Sequence, residues 1–131
     1  MLKLLKNLSI SIIAVLSPIH PILIATLILV GFDFITGIWA AKKRGEPISS
    51  AGLRRTVTKL LVFEIALVLA FVTEVYMIDN ILPLVKIVGA LVAVSELRSC
   101  LENLGSISGT DIFKALIGKL GSINDHHIKK D

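Results

Sequence analysis

The sequence has few charged residues, few aromatic residues and a single cysteine. Charged residues make up 18% of the 131 residues, whereas soluble domains carry about 25%. The lone Cys100 excludes an intrachain disulfide and a metal site built from several cysteines. Aromatic residues make up 5%, too few to supply the stacking platforms of a protein that binds single-stranded nucleic acid. These shortages exclude a disulfide scaffold and argue against nucleic acid as a partner.

The residue combinations that enzymes and metal sites use are also missing from the sequence. His20 and the pair His126-His127 have no cysteine or acidic cluster at the spacing of metal ligands. The sequence has no glycine-rich phosphate loop, and no Ser-His-Asp arrangement can be inferred from it. We therefore expect a protein that is not an enzyme and that binds no metal or cofactor.

Hydrophobic residues are abundant instead, at 54% of the chain, and the mean hydropathy is +0.84. A soluble fold of this length would leave large apolar patches exposed, which soluble proteins avoid. Three apolar runs, at residues 22–41, 56–78 and 81–101, have the ~20 residues that a helix needs to cross a bilayer. The sequence predicts an all-α membrane protein, a single membrane domain with three transmembrane helices and the lipid bilayer as a partner.

In the sequence, one amphipathic helix is expected before these three spans and one after them. Residues 1–17 place Lys3 and Lys6 on one face, which predicts a helix that lies in the interface or packs on the bundle. Pro18 and Pro21 are expected to end this helix. The alternative is that the N-terminal region forms a fourth span. Apolar residues at helical spacing predict a second amphipathic helix over residues 110–120, followed by a polar tail over residues 121–131.

Basic residues give the chain a net charge of +4, and many of them lie between the first two spans. The basic residues of this region are Lys42, Lys43, Arg44, Arg54, Arg55 and Lys59, and Glu46 is its one acid. Basic loops between transmembrane helices stay in the cytoplasm, so we interpret these residues as determinants of topology. The basic loop, residues 42–55, and the C-terminus are then cytoplasmic in a multi-pass membrane protein.

Five charged residues lie at least four residues inside the ends of the predicted spans: Asp33, Glu64, Glu74, Lys86 and Glu96. Each needs a partner or water, because a charge at the bilayer centre costs at least ~2.5–3.5 kcal/mol. Asp33 and Glu64 are expected at the same depth, Glu74 is expected to pair with Lys86, and Arg98 or the basic loop is expected to screen Glu96. These charges either pair between helices or face water in an assembled state. We favour the second, because the acids outnumber the nearby bases.

Small residues four positions apart allow close helix packing in lipid. Each span has one such step, formed by Gly37 and Ala41, by Ala66 and Ala70, and by Gly89 and Ala93. Asp33 lies one helical turn before Gly37, so one face carries both an acid and a small residue. The sequence predicts that these positions mediate helix packing and homo-oligomerisation. We also expect Ser50 to cap the second span, since serine is a favoured N-cap residue.

Two stretches of the sequence carry a family resemblance. The first stretch comprises Asp33-Phe34-Ile35-Thr36-Gly37, Ala40-Ala41-Lys42, Ile48-Ser49-Ser50 with Gly52, and Lys59. The second is Ser95-Glu96-Leu97-Arg98-Ser99-Cys100-Leu101-Glu102-Asn103-Leu104-Gly105. The first resembles phage holins of family 4, the toxin-secretion and phage-lysis type. The second is similar to that family's Glu-x-x-Ser-x-x-Glu-Asn-x-x-x-Gly signature, with Gly105 nearer to Asn103.

The resemblance covers about residues 33–105 and implies a function. It implies a small protein that accumulates in the bacterial inner membrane, self-assembles and forms lesions that release an endolysin or, in some relatives, a toxin. Two other classes stay open from the residues alone. One is an antiholin or a non-pore scaffold subunit of the membrane, and the other is a helical component buried in a larger assembly.

Overall fold

The computed structural model describes residues 1–112 and 114–119 of the chain, and the secondary structure of these residues is helical, without a strand. The all-α prediction is therefore confirmed for this part of the chain. The polar tail and part of the C-terminal amphipathic helix, at Phe113 and residues 120–131, lie outside the described residues. Ile112 and residues 114–119 are helical.

The first 44 residues form a nearly continuous helical segment. Helix α1 (Leu2–Leu16) is followed by a 3₁₀ turn (Ser17–Ile19) and then by helix α2 (His20–Arg44). The expected break at the prolines does not occur, because both prolines stand in the first two positions of their helices, Pro18 in the turn and Pro21 in α2. A missing N–H costs nothing there, because the first N–H groups of a helix have no intrahelical partner.

Helix α3 (Ser50–Val72) begins earlier than the second apolar run. The expected cap at Ser50 is wrong: Ser49 has the extended backbone of an N-cap, and its hydroxyl accepts a hydrogen bond from the N–H of Gly52 at 3.4 Å. Gly45, with φ of +73°, ends α2. The loop between the two helices is therefore short, and Arg54 and Arg55 belong to the start of α3.

Helix α3 continues as a π-helical turn over Thr73–Met77. Asp79 and Asn80 follow in left-handed conformation, with φ of +50° and +59°, which short polar residues tolerate better than most. Helix α4 (Leu84–Ser108) then runs back along the bundle and ends at Gly109. It extends seven residues beyond the third apolar run.

Helix α2 packs most extensively against α4, and α3 packs against both. The apolar core between the three helices includes Val30 and Ala40 of α2, Leu67 and Phe71 of α3, and Val92 of α4. Helix α1 has no buried residue, so the alternative in which it packs on the bundle is not observed.

Large apolar side chains cover the outside of the bundle. Ile35, Leu69 and Leu91 are each at least 60% exposed, as expected for side chains that face lipid. Within the described residues, two helical stretches are long and apolar enough to cross a membrane, Leu2–Arg44 and Ser50–Met77. Helix α4 is less apolar, since it carries Lys86, Glu96, Arg98 and Glu102. The count of three transmembrane helices is therefore not confirmed.

Candidate functional site: an ion cluster between three helices

An ion cluster lies where α2, α3 and α4 meet. The ammonium of Lys59 on α3 lies 2.5 Å from Oδ2 of Asp33 on α2 and 2.8 Å from Oε2 of Glu96 on α4. The side chain of Glu96 is 1% exposed, that of Asp33 13% and that of Lys59 28%. Each helix thus contributes one charged group, and the single cation joins all three helices.

The side-chain amide of Asn103 extends the cluster along α4. Its Nδ2 donates to Oδ1 of Asp33 at 3.1 Å and to the hydroxyl oxygen of Thr36 at 3.2 Å. The hydroxyl of Thr36 in turn donates to the backbone carbonyls of Phe32 and Asp33. Gly37 leaves space beside the amide: a Cβ there would lie 3.5 Å from Nδ2, an ordinary van der Waals contact.

The charges of this cluster do not balance. One ammonium lies between two carboxylates, so the ionised cluster carries a net charge of −1. Buried ion pairs repay their desolvation only where geometry and extra hydrogen bonds are favourable. The contacts of Lys59 with both acids and of Asn103 with Asp33 supply those interactions. The cluster therefore depends on Lys59, and losing that cation leaves two acids facing each other.

A groove of about 690 Å³ leads from the α2–α3 loop to this cluster. Glu46 and Arg55 lie near the loop, and Asp33, Lys59 and Asn103 also line the groove. Polar groups thus form a path from the loop end of the bundle to a buried ion pair. Glu46 is held by Arg44, whose guanidinium donates to both of its carboxylate oxygens at 2.8 Å, and this hydrogen bonding lowers the pKa of Glu46.

The structure changes the expected role of Lys59 and decides which of the expected groups contacts Glu96. Sequence reasoning assigned Lys59 to topology and expected Arg98 or the basic loop to screen Glu96. In the structure Lys59 contacts Glu96 directly, whereas Arg98 forms an ion pair with Glu102 on the exposed side of α4 at 2.8 Å. The early start of α3 explains the difference, because it places Lys59 more than two turns inside the helix.

The expected pairing of Glu74 with Lys86 is wrong. Oε2 of Glu74 accepts a hydrogen bond from the backbone N–H of Val85 at 2.7 Å, and the side chain of Lys86 is exposed. Helix α4 begins after Pro83, whose side chain offers no cap. Glu74 therefore accepts a hydrogen bond from the first turn of α4, where the N–H groups lack intrahelical partners.

Glu64 lies deeper in the bundle than Asp33, contrary to the expectation of equal depth. Lys59, which contacts Asp33, precedes Glu64 by five residues, or about 7.5 Å along the helix. Glu64 is partly buried, and among the described residues its Oε1 is a buried atom without a hydrogen-bond partner.

The small residues of the three predicted packing steps have different surroundings within one chain. Gly89 of α4 faces Ile22 of α2 so closely that a Cβ there would overlap the tip of the isoleucine. Ala70 is buried in the core, and Gly37 lies beside Asn103. The three remaining small residues are partly buried: Ala41, Ala66 and Ala93. Their expected part in oligomerisation stays a prediction.

The basic residues outside the cluster are exposed at the loop end of the bundle. Lys42, Lys43 and Arg44 form the last turn of α2, and Arg54 and Arg55 lie near the start of α3. The ammonium of Lys43 donates to the backbone carbonyl of Ile107, which ties the end of α2 to the end of α4. This contact places the end of α4 beside the basic loop.

Sequence reasoning missed Asn103 and Thr36 as parts of the cluster. A signal for Asn103 was present, because seven residues separate it from Glu96, and two helical turns return to the same face. Thr36 likewise follows Asp33 at a spacing of three. Neither spacing identifies the partner on another helix, so the meeting of three helices at Lys59 was not predictable.

Comparison with known proteins gives one finding. The model of a bacteriophage holin family matches residues 10–125. No curated protein and no solved structure shows significant similarity to the chain.

Proposed function

Because this chain belongs to the bacteriophage holin family, we propose that it accumulates in the bacterial inner membrane and self-associates into lesions. An endolysin or a secreted toxin is the macromolecule that passes through them. The proposal needs no catalytic group and no cofactor, because the lesion itself provides the path.

The proposed topology has three spans, α2, α3 and α4, with the basic loop and the C-terminus in the cytoplasm. The exposed cations at the ends of α2 and α3 support this orientation. The third span is supported by the ion cluster, because Lys59 neutralises Glu96 inside the bundle and removes that charge from the lipid-facing surface of α4. The contact of Lys43 with Ile107 supports a common, cytoplasmic side for the loop and the end of α4.

The ion cluster is the observation that carries the proposal. A helix that must line an aqueous lesion needs polar groups, and one that must first reside in lipid has to hide them. Asp33, Lys59 and Glu96 are hidden within one chain by pairing with each other. Separation of the helices would exchange these contacts for contacts with water, so the cluster can stabilise the chain before assembly and supply a polar lining afterwards.

An antiholin or a non-pore membrane scaffold is the second candidate, and one observation favours it. The three charges of the ion cluster are all paired within a single chain. Permanent pairing would give a stable bundle that resides in the membrane without opening it.

Induced expression in a bacterium, with membrane potential and growth followed over time, separates the two candidates. A holin is expected to leave the potential intact during accumulation and then to collapse it abruptly. A cytoplasmic endolysin expressed together with the chain should reach the medium at the same moment. An undisturbed potential at high abundance in the membrane would contradict lesion formation. A delay of lysis by a second, active holin under that condition would then support the antiholin.

A further inference from the structure

Glu64 is an acidic residue inside the bundle that lies outside the ion cluster. It stands on α3, and its Oε1 is buried and lacks a hydrogen-bond partner among the described residues. Desolvating a carboxyl group without a hydrogen bond is costly, and more so in lipid than at a protein surface. Its neighbours on the outer face of α3 are apolar and exposed, Leu61 at 57% and Ile65 at 58%.

The level of Glu64 in the bundle limits what can satisfy it. Because Asp33, Lys59 and Glu96 meet at one level and α3 runs opposite to α2 and α4, positions about five residues before Asp33 and before Glu96 share the level of Glu64. These positions lie near Ile28 on α2 and near Leu91 on α4. Within one turn of them the side chains are apolar apart from Thr26, which is buried and donates to the carbonyl of Ile22, and Ser95 at the far edge.

Two copies inserted in the same orientation place identical residues at identical depth. A second copy therefore brings one strongly hydrogen-bonding side chain to this level, its own Glu64. Closed two-fold contacts pair the same patch of both subunits, so a residue near the axis meets its own counterpart. Two carboxyl groups that hold a proton between them can form a hydrogen bond without a counterion.

We propose that α3 contacts α3 of a second copy through this face, with the two Glu64 carboxyl groups hydrogen-bonded to each other. The carboxyl reaches the partner by rotation about its side-chain torsions toward the exposed side of the helix. Leu61 and Ile65 flank the pair and pack against their counterparts. This inference deepens the self-association in the proposed function and rests on it, since it names the contact surface.

Disulfide crosslinking in membranes tests the contact. The background is the full chain with Cys100→Ser, so that each variant has one cysteine. Leu61→Cys lies one turn from Glu64 on the proposed contact face, and Leu91→Cys is the matched control, on α4 at the same level and 69% exposed. We expect oxidation to yield a crosslinked dimer at position 61 at several times the yield at position 91. Equal yields at the two positions would overturn the proposal.

Substitution of Glu64 in the Leu61→Cys chain supplies the second test. Glu64→Gln keeps a donor and an acceptor, so the crosslink should persist, whereas Glu64→Leu fills the position with an apolar side chain and should reduce the yield at least several-fold. Circular dichroism and thermal unfolding of each variant in detergent check that the fold is kept. An unchanged yield in a folded Glu64→Leu chain would overturn the proposal.

Membrane depolarisation, recorded in the same cells, distinguishes this contact from lesion formation. Glutamate-dependent crosslinking in cells whose potential never collapses would support the α3 contact and contradict the holin function. Collapse of the potential without glutamate-dependent crosslinking would support lesion formation and overturn the α3 contact.

Discussion

At the scale of single residues, the bundle depends on a cation that holds two acids. Lys59 contacts Asp33 and Glu96 on two different helices, and Asn103 supports Asp33 from the side. Apolar packing supplies the bulk of the contacts between the helices. The ion cluster adds hydrogen-bonded contacts that favour one relative position of the three helices.

Lys59→Met should destabilise the bundle strongly. It leaves Asp33 and Glu96 buried without a counterion, and breaking a buried pair costs about 3–5 kcal/mol. The measurement is reversible unfolding in mixed detergent micelles, and the matched control is Lys86→Met, which removes an exposed lysine of α4. Adding Asp33→Asn and Glu96→Gln to Lys59→Met should recover much of the loss, because the charges then disappear together. Equal stability of Lys59→Met and Lys86→Met would contradict the role of the cluster.

Asp33→Ala should keep the fold and alter the timing of lesion formation. The variant leaves Lys59 and Glu96 as a balanced pair between α3 and α4 and removes the ionic contact of α2 with Lys59, while the hydrogen bond from Asn103 to Thr36 remains. We expect lysis to begin earlier after induction, because one of the contacts that hold the separate chain together is lost. The time course of culture density and the pattern of crosslinked oligomers measure the effect. Unaltered timing together with an unaltered oligomer pattern would remove Asp33 from the mechanism.

At the scale of helices, α2 and α4 approach each other closely at a glycine. The approach occurs at Gly89, where a Cβ would meet Ile22 and would lie 3.9 Å from a methyl group of Leu67. The absence of a side chain at Gly89 therefore lets α4 pack closely against α2 at this point. Small residues act in this way wherever helices pack in lipid.

Gly89→Leu should weaken the contact of α2 with α4, with a cost of about 1–3 kcal/mol, because overpacking forces neighbouring side chains to move. Ile22→Ala in the same chain should restore part of that loss, since it removes the side chain that the leucine overlaps. Thermal unfolding in detergent measures both effects. The control is Gly31→Leu on α2, where a Cβ meets nothing within 4 Å. Equal losses at positions 31 and 89 would contradict the packing argument.

The proposed topology predicts which turns a membrane-impermeant maleimide can reach. In a chain with Cys100→Ser, Ile81→Cys reports the turn before α4, and Ile48→Cys reports the loop before α3; both side chains are exposed. We expect Ile81→Cys to react in spheroplasts with an intact inner membrane, and Ile48→Cys to react only after permeabilisation. The reverse pattern would invert the topology, and reaction of both positions in intact spheroplasts would contradict the separation of loop and turn across the membrane.

At the scale of the whole molecule, the chain divides into a three-helix bundle and a helix that stands apart from it. Helices α2, α3 and α4 share one core, whereas α1 extends from α2 and has no buried residue. The hydroxyls of Ser9 and Ser11 on α1 donate to backbone carbonyls one turn earlier in the same helix. The free energy of folding of the bundle should therefore depend little on α1.

Deletion of residues 2–16 is expected to leave the stability of the bundle within about 0.5 kcal/mol of that of the full chain, as for changes that touch no buried contact. Unfolding in detergent, compared between the two chains, measures this. The ion pair of Lys59 with Glu96 should persist, so Lys59→Met should cost the same in both chains. A large loss of stability on deletion would show that α1 packs on the bundle.

The sequence alone determined the class of the protein, because hydrophobic content and the length of apolar runs fix whether helices can reside in lipid. It also located the basic loop and the residues that resemble those of family 4 holins. The sequence predicted the helix boundaries less well. Helix α2 extends to its cap at Gly45 and α3 starts from its cap at Ser49, so both helices are longer than their apolar runs. A cap is a local backbone geometry, and hydropathy does not detect it.

Only the tertiary structure decided which charges meet. In the sequence Lys59 was grouped with its basic neighbours as a determinant of topology, and Glu74 was expected to pair with Lys86. The register of three helices brings Lys59 to Asp33 and Glu96, and the turn before α4 brings Glu74 to a backbone N–H. Hydropathy is a property of single residues along one helix. A contact between charges depends on the rotation and the depth of several helices at once, and the packing of the helices sets both.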